Sequence, residues 1–313
     1  MQPVSVIVPT MRRPESLERA LRSLFVQTAP MASIVVVDND PSATARDTVT
    51  RLTPDAPCLL IYRHEPRPGV ATARNAGLAE TDAPLIAFLD DDEAASPTWL
   101  AALLAALDQT KADVVFGPIA GRVPADTGWA TPYLEAFFGR AGPATTQRID
   151  KPWGCGNSLM IRATALPGAA PFDASADQSG GEDDALFAAL QARGATFGWA
   201  ADAWVDEFAP PHRATMRYAL SRAFAYGQGP SQTAAKARHW PAVAKWMIVG
   251  AVQAFVWGLA AIATTVLAHP SRARMMDRTA RGLGKIFWMK GFEPHFYGAR
   301  ELARLDRVSP SAA

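Results

Sequence analysis

Four consecutive acidic residues, Asp90 to Glu93, form a first acidic cluster directly after an apolar segment that is typical of a buried strand. Because strand side chains alternate between faces, we expect Asp90 and Asp92 to point the same way and Asp91 the opposite way. Carboxylates this close repel each other unless a cation lies between them. Mg²⁺ commonly combines one or two carboxylates with substrate phosphates. The pattern therefore predicts a metal-diphosphate site, although acids also stabilise the start of a following helix, here expected near Ser96.

Short apolar runs and amphipathic stretches alternate through the first 117 residues. The predicted strands are 4–8, 34–37, 59–62, 85–89 and 114–117, and the predicted helices are 15–26, 43–52 and 96–107. This alternation indicates an α/β fold built from βαβ units around a mostly parallel sheet. Ligands of such sheets bind beyond the carboxyl ends of the strands. Pro9, Thr10, Asp38 and the first acidic cluster all fall at such ends.

Composition narrows the functional classes. The 313 residues are 49% hydrophobic and 19% charged, which is typical of a globular protein with a sizeable core. The 31 Lys and Arg residues balance 30 Asp and Glu residues, which argues against nucleic acid as the main partner. Cys58 and Cys155 have neither metal-ligand spacing nor the pattern of a disulfide framework. The first apolar run is too short for a secretory signal, so we expect a cytoplasmic catalytic part.

A dinucleotide-binding dehydrogenase is the obvious alternative for this alternation of elements. Such an enzyme carries Gly-x-Gly-x-x-Gly directly after its first strand. After Val8 the chain reads Pro-Thr-Met-Arg-Arg-Pro, which contains no glycine. The sequence therefore argues against a dehydrogenase.

Four segments together resemble the family 2 glycosyltransferases of the GT-A fold. They are Val-Ser-Val-Ile-Val-Pro-Thr at 4–10, Val-Val-Val-Asp-Asn at 35–39, Gly-Val-Ala-Thr-Ala-Arg-Asn-Ala-Gly at 69–77 and Phe-Leu-Asp-Asp-Asp at 88–92. The resemblance covers about residues 3–230 and includes an Asp-x-Asp motif. It implies a Rossmann-like sheet flanked by helices, and a hexosyltransferase-like enzyme of bacterial polysaccharide biosynthesis. Such an enzyme moves a sugar from a nucleotide-diphosphate donor with inversion at the anomeric carbon.

The resemblance also implies the residues that hold the nucleoside. Pro9, Thr10 and Asp38 would contact it, Asp38 through the base, with a leaning to uridine. The residue type agrees, because a carboxylate at a strand end accepts hydrogen bonds from a base N–H or a ribose hydroxyl. Asp38 could instead cap the turn that begins at Asn39.

Phosphate and metal contacts are implied for four further residues. By the resemblance, Arg74 would lie near the nucleotide and its phosphates, Asp90 near the ribose or the metal, Asp91 in the donor site and Asp92 directly on a Mg²⁺ or Mn²⁺ ion. A guanidinium suits phosphate through bidentate contacts. The alternative for Arg74 is an arginine on the protein surface.

A second acidic cluster, Glu182 to Asp184, follows two glycines and begins a predicted helix at 185–193. Inverting transfer needs one general base that takes the proton of the acceptor hydroxyl. The family resemblance assigns this base to Asp183 and gives Glu182 a positioning role. The glycine-punctuated segment 153–162 resembles the part of the family fold that lines the sugar site. Ordinary acidic capping of the helix is the alternative.

The remaining residues divide into an acceptor-facing half and a C-terminal extension. We predict a nucleotide-sugar-binding half at 1–116, an acceptor-binding and catalytic-base half at 117–230, and an extension at 231–313. The acceptor-binding half carries aromatic residues between 129 and 138, which suit either an acceptor site or a hydrophobic core. His212 is a candidate third metal ligand, although imidazole is less natural for Mg²⁺ than carboxylate oxygen.

The extension contains a segment that could contact a membrane. Residues 246–268 include no charged side chain and are long enough to cross a bilayer as a helix. The basic and aromatic residues up to 290 suit an anionic membrane surface. A full crossing conflicts with the positive-inside rule, because the donor-binding part must also be cytoplasmic. We therefore expect peripheral or re-entrant contact through 246–290 at the inner membrane and a saccharide or lipid-linked acceptor, with a buried core helix as the alternative.

Two other functions fit parts of the pattern. A nucleotidyltransferase also places carboxylates around a metal and a nucleotide, but Met11 to Pro14 makes a poor phosphate loop. A catalytically inactive sugar-binding scaffold would share the fold, but it would not require the acids at 92 and 183.

Overall fold

The computed structural model describes residues 2–177 and 181–294, and the large sheet within them is mixed. The strands are β1 Val4–Thr10, β2 Ser33–Asp38, β3 Leu59–His64, β4 Leu85–Phe88, β5 Glu93–Ala95, β6 Val114–Phe116, β7 Ile119–Arg122, β8 Gln147–Ile149, β9 Ser158–Ile161, β10 Phe197–Trp199 and β11 Val205–Phe208. Eight of these form the order β3-β2-β1-β4-β9-β6-β10-β8, and a small sheet has the order β5-β11-β7.

Helices connect most of these strands. They are α1 Pro14–Phe25, α2 Arg46–Leu52, α3 Val70–Ala79, α4 Trp99–Thr110, α5 Thr131–Phe138, α6 Arg162–Ala165, α7 Glu182–Ala192, α8 Met216–Lys236, α9 Trp240–Val266 and α10 Arg272–Ile286. Short 3₁₀ turns cover Thr53–Asp55, Ala125–Ala130, Ala174–Ala176 and Lys290–Phe292. The predicted α/β class with a C-terminal helical extension is confirmed as far as residue 294.

Strand direction follows the prediction in the first half of the sheet and departs from it in the second. β1 pairs in parallel with β2 and β4, and β2 pairs in parallel with β3. β9 lies antiparallel between β4 and β6. β8 is also antiparallel to its neighbour β10. The sheet is therefore mostly parallel rather than wholly so.

Both faces of the sheet are buried. Alternate residues of β1 face opposite sides, so Val4, Val6 and Val8 pack with the apolar sides of α1, α2 and α4, whereas Ile7 packs with α3 and α7. β2 and β4 divide in the same way. This double burial explains why the strands read as continuous apolar runs instead of alternating polar and apolar residues.

The first acidic cluster begins after its strand has ended. β4 stops at Phe88, Asp91 and Asp92 lie in a turn, and Glu93 starts β5. The predicted alternation of Asp90 and Asp92 against Asp91 is therefore wrong, since it needs an uninterrupted strand. The capping alternative is also wrong, because β5 separates the acids from α4, which has no acid in its first turn.

The described residues form two compact units. The first contains the large sheet and covers residues 2–120 and 139–208, and the second covers 121–138 and 209–294. In the second unit α5 packs on α8: Phe138 stacks on Tyr218 with ring centroids 6.3 Å apart, and Leu134 shares a core with Ala219. The predicted aromatic stripe is thus part of this internal packing.

Helix α9 of the second unit is apolar and largely exposed. Of its 27 residues only Val243, Gly250 and Ala261 are buried, and Phe255 is 69% exposed. α9 is the single helix in the described chain that is long and apolar enough to cross a membrane. α10 packs beside it, and Arg278 lies over the ring of Trp257 at 4.3 Å. The alternative of a buried core helix is not what the structure shows.

Candidate active site

Arg13, at the start of α1, binds the turn of the first acidic cluster. Its Nη1 donates to Asp91 and to Asp92, at 2.9 Å in each case, and the Thr10 hydroxyl donates to the other oxygen of Asp91 at 2.8 Å. The charge of Asp91 raises the pKa of Arg13 above its ordinary value; burial opposes this rise and Asp92 adds to it. Asp91 and Asp92 therefore share one cation at the carboxyl end of β1.

Asp90 faces a different arginine and a glycine. Its Oδ1 accepts from Arg74 at 3.3 Å, and its side chain is 38% exposed. A side chain at Gly156 would place its Cβ 2.5 Å from Asp90 Oδ2, so only glycine leaves room for the carboxylate. Asp90 is the most accessible of the three aspartates, and the glycine-punctuated segment predicted to line the site reaches it.

Arg74 joins the two acidic clusters. It is 4% exposed, donates to Glu182 at 2.5 Å and also reaches Asp90. Burial lowers the pKa of Arg74, but the acids around it outweigh that effect, so the guanidinium keeps its charge. The rings of Phe88 and Phe172, which contact each other, both lie near it, with centroids 6.0 and 5.6 Å from Cζ. The surface alternative for Arg74 is wrong.

Asp183 lies in the first turn of α7, where acids are favoured by the helix dipole. Its Oδ2 accepts from the N–H of Cys155 at 3.1 Å, and its Oδ1 from the N–H of Asp184 at 2.9 Å. A Cβ at Gly154 would lie 3.3 Å from Oδ2. One segment, residues 154–156, thus contacts Asp183 at one end and Asp90 at the other, and this brings the two predicted clusters into one site.

Two charged residues behind the site, the buried Glu93 and the partly buried Arg140, were not singled out from the sequence. Glu93 is 1% exposed and accepts from the N–H of Asp90 at 3.0 Å. Burial, followed by the charges of Asp90 and Glu207, raises the pKa of Glu93 well above its ordinary value. Arg140 donates to the carbonyl of Gly154 at 3.1 Å, and burial lowers its pKa. Glu93 was visible as the fourth acid of the cluster; Arg140 carries no local signal.

Arg13 was also missed, although its sequence context offered a signal. The pair Arg12-Arg13 follows the first strand directly, a place where a parallel sheet binds anions. From the sequence alone these residues make only a poor phosphate loop. Their role depends on the turn after β4, which the sequence does not specify.

Asp38 is fully buried and bonded within its own loop. Its oxygens accept from the N–H groups of Asp40 at 3.2 Å and Ala45 at 2.8 Å, and from the hydroxyl of Tyr62 at 2.9 Å. The register pairs Thr10 with Asp38 and Pro9 with Val37. The carboxylate thus holds the turn, as the capping alternative expects, and its contact with a nucleoside stays a prediction.

The donor set near the first acidic cluster fits a hard divalent cation. Mg²⁺ needs only one or two protein carboxylates when phosphates supply other ligands. The exposed Asp90, with the space left by Gly156, and Asp92 offer oxygen donors of that kind. Asp92 would share its carboxylate with Arg13. Within residues 2–177 and 181–294 no group of three or more His, Cys, Asp or Glu residues is arranged to hold a metal alone.

His212 lies in the second unit, in the turn between β11 and α8. Asp90 and Asp92 lie in the first unit. The role of His212 as a third metal ligand stays a prediction.

Comparison with known proteins gives a consistent family. The model of the family described as "Glycosyl transferase family 2" matches residues 5–166. The succinoglycan biosynthesis protein ExoM of Rhizobium meliloti is 33% identical over 308 residues, which cover 96% of this chain and 97% of ExoM. A validoxylamine A glucosyltransferase of Streptomyces hygroscopicus subsp. jinggangensis is 32% identical over 48% of this chain and 36% of its own length.

Solved structures share the fold. S. aureus TarS 1–349 in complex with UDP superposes with a TM-score of 0.54 at 17% identity, over 92% of both chains. GalNAc-T7 with UDP, GalNAc and Mn²⁺ superposes with a TM-score of 0.54 at 15% identity, over 75% of this chain and 51% of the other. At these identities the likeness concerns the fold, and it agrees with the predicted GT-A type.

Proposed function

The chain belongs to glycosyl transferase family 2 and is a glycosyltransferase, and from that premise we propose that it is metal-dependent and inverting. In this proposal the donor is a nucleotide-diphosphate sugar and the acceptor is a saccharide or a lipid-linked saccharide. Asp183 acts as the general base. Glu182 positions Arg74 beside the reacting groups.

One observation carries the proposal: the buried Arg74 binds an acid from each cluster. Asp90 and Glu182 are 92 positions apart in the sequence, yet both contact the same guanidinium. An inverting transfer needs a base on one side of the sugar and stabilisation of the leaving diphosphate on the other. Arg74 links Asp90, which we assign to the leaving-group side, to Glu182, the neighbour in sequence of the proposed base Asp183.

The chemical step follows from these assignments. Asp183 takes the proton of the acceptor hydroxyl while that oxygen forms a bond to the anomeric carbon. The bond from this carbon to the diphosphate oxygen breaks on the opposite side, and its electron pair leaves with the diphosphate. The neutral donors that hold Asp183, the N–H groups of Cys155 and Asp184, orient the carboxylate for this transfer.

Positive charge for the leaving group comes from several sources. Arg13 and Arg74 supply fixed charges at the carboxyl end of the sheet. A Mg²⁺ or Mn²⁺ ion held by Asp92 and Asp90 would add Lewis acidity toward the diphosphate. Asp91 orients Arg13, and Pro9, Thr10 and the Asp38 loop contact the nucleoside, which we take to be uridine.

We assign the biological setting from the relatives and the second unit. Because ExoM is a succinoglycan biosynthesis protein, we place this chain in bacterial polysaccharide biosynthesis. The exposed apolar side of α9 and the exposed Arg274 and Arg278 of α10 suit contact with an anionic membrane surface. The enzyme then works at the cytoplasmic face of the membrane on an acceptor carried there.

A binding and transfer screen tests the proposal. The full chain is melted with UDP, UDP-glucose, UDP-galactose and GDP-mannose, each with and without Mn²⁺, since a ligand of the native state raises the melting temperature. We expect a uridine nucleotide to raise it only with the metal present, and the corresponding nucleotide sugar to be hydrolysed slowly in the absence of acceptor. A chain that neither binds nor hydrolyses any of these donors contradicts the proposal.

A further inference from the structure

Trp153 is a partly exposed aromatic ring in a fixed position. Its side chain is 37% exposed, and its ring centroid lies 5.8 Å from that of Trp199, which is 1% exposed. The Trp199 indole N–H donates to the Pro143 carbonyl at 2.8 Å, and this hydrogen bond anchors the Trp199 ring. The guanidinium of Arg140 lies 6.0 Å from the Trp153 ring. A rigid indole with an exposed surface can bind a ligand at low cost in side-chain entropy.

A cavity of about 550 Å³ opens beside this ring. That volume lies within the range of roughly 300–1,000 Å³ that is usual for small-molecule sites. Its walls are residues 147–153 and Pro143, and they combine apolar groups, such as Ile149 and Pro152, with polar ones, such as Gln147 and Lys151. This mixture matches a saccharide, which presents C–H faces and hydroxyl groups together, better than it matches an apolar ligand.

Arg148 fixes the wall of the cavity. Its guanidinium donates to the carbonyls of Thr110 at 2.7 Å and Lys111 at 3.0 Å, at the end of α4. On the other side, Gln191 donates to the carbonyl of Asp150 at 3.1 Å. The segment between β8 and Trp153 is therefore held by elements on both of its sides, and the cavity is formed before a ligand binds.

The wall of the cavity is followed in the chain by the segment that contacts the candidate base. Trp153 is followed by Gly154, where a Cβ would lie 3.3 Å from Asp183 Oδ2, and then by Cys155, whose N–H binds that oxygen. Two residues span at most about 7 Å of backbone. The backbone of Trp153 therefore lies within that distance of Cys155, whose N–H holds the Asp183 carboxylate.

We propose that the cavity beside Trp153 is the acceptor subsite, and that a saccharide binds there with one sugar ring stacked on the indole and a hydroxyl directed at Asp183. This inference rests on the proposed function, because it uses Asp183 as the base. It adds the position of the acceptor and the residue that holds it.

The test separates the acceptor from the donor. The full chain is supplied with Mn²⁺ and the nucleotide sugar that it hydrolyses, and transfer to cellobiose and lactose at millimolar concentration is measured together with hydrolysis in their absence. In Trp153→Ala we expect the KM for the disaccharide to rise about tenfold, equivalent to about 1.4 kcal/mol, with a smaller change in the KM for the donor. Trp153→Phe keeps a ring and should stay close to wild type.

Trp204→Ala is the matched control, because Trp204 is 47% exposed in the same unit and does not line the cavity. It should behave as wild type. Binding is also followed without turnover: cellobiose should change the tryptophan fluorescence of the wild type and of Trp204→Ala but not that of Trp153→Phe.

The outcomes distinguish the two proposals. A wild-type KM in Trp153→Ala, an equal fluorescence change in Trp153→Phe, or hydrolysis by a wild type that neither binds nor uses either disaccharide overturns the acceptor subsite and leaves the proposed function standing. A wild type that hydrolyses none of the donors overturns the proposed function itself.

Discussion

The two acidic clusters of the first unit are held in different ways. In the first cluster Asp91 and Asp92 share Arg13, and Asp90 is bound by Arg74. In the second, Glu182 is paired with Arg74, but Asp183 is held by two backbone N–H groups. The first cluster is therefore a charged framework in which every aspartate has a guanidinium. In the second cluster Glu182 is also paired with a guanidinium, whereas its neighbour Asp183 is held by neutral N–H donors.

This difference indicates which acid can accept a proton from an acceptor hydroxyl. A carboxylate tied to a guanidinium is better suited to holding charge and binding a cation, and a carboxylate oriented by peptide groups keeps oxygen lone pairs for an incoming hydroxyl. The predictions for Asp183, Arg74 and Asp92 test this division, and a fourth concerns an acid outside both clusters.

The largest expected effect is on Asp183. Asp183→Asn should lower kcat for transfer by about 10²–10⁴-fold, because the amide cannot accept the hydroxyl proton. The melting temperature should change little, since the amide oxygen still accepts the N–H of Cys155. Steady-state transfer kinetics and a thermal melt measure the two effects. Asp184→Asn, one residue along the same exposed turn, is the control, and equal losses in both variants would remove Asp183 from the role of base.

Replacing Arg74 should chiefly lower the free energy of unfolding. Arg74→Met leaves the buried Glu182 unpaired and should lower the free energy of unfolding by about 3–5 kcal/mol. Arg63→Met, whose pair with Glu80 is largely exposed, should cost less than about 1 kcal/mol. Urea titration measures both values.

A double-mutant cycle sharpens this result. If Arg74 and Glu182 act as a pair, Arg74→Met combined with Glu182→Leu should destabilise less than the sum of the single changes. Additive effects would show that the buried contact carries no coupling.

The first cluster should control the metal requirement. Chelation by EDTA should abolish transfer, and Mn²⁺ should restore it. In Asp92→Asn the Mn²⁺ concentration for half-maximal activity should rise about 10–100-fold, as for the loss of a metal-site carboxylate. Asp108→Asn, which removes an exposed acid at the end of α4, should not change it. Unaltered activity in EDTA would contradict metal dependence.

The smallest effect is expected at an acid that is paired but exposed. Arg51 and Arg22 lower the pKa of Glu18 from 4.5 to about 2. The resulting stabilisation is present above pH 4.5 and is lost as the pH falls toward 2. Glu18→Gln should therefore melt slightly below wild type at pH 6, with the two curves converging near pH 2. Parallel curves over the whole range would show that this pair contributes no pH dependence.

The sequence predicted the part of the site that depends on strand ends. Thr10, Asp38 and the first acidic cluster follow apolar runs, and the ends of parallel strands meet at one edge of a sheet, so their proximity follows from the pattern alone. The second cluster was found because two glycines precede three acids at the start of a helix. Its closeness to the first cluster follows from the family resemblance and is seen here in the contacts of Arg74.

What escaped prediction depends on turns and on distant partners. The orientation of Asp90, Asp91 and Asp92 follows from where β4 stops, and β-strand alternation does not specify that point. Arg140 and Trp153 acquire their positions from Trp199 and from residues 154–156, none of which forms a local pattern with them. A strand at the end of segment 153–162 was expected, but its antiparallel direction was not, because an apolar run has no direction.

The hydrogen bonds of Asp38 have a consequence for recognition at the neighbouring edge of the sheet. Its carboxylate joins the N–H groups of residues 40 and 45 and the hydroxyl of Tyr62, so the loop after β2 has its shape in the free protein. The conformational entropy of that loop is lost when the chain folds. A molecule that binds to this loop therefore binds a preorganised surface. Its binding free energy is not reduced by the cost of ordering the loop.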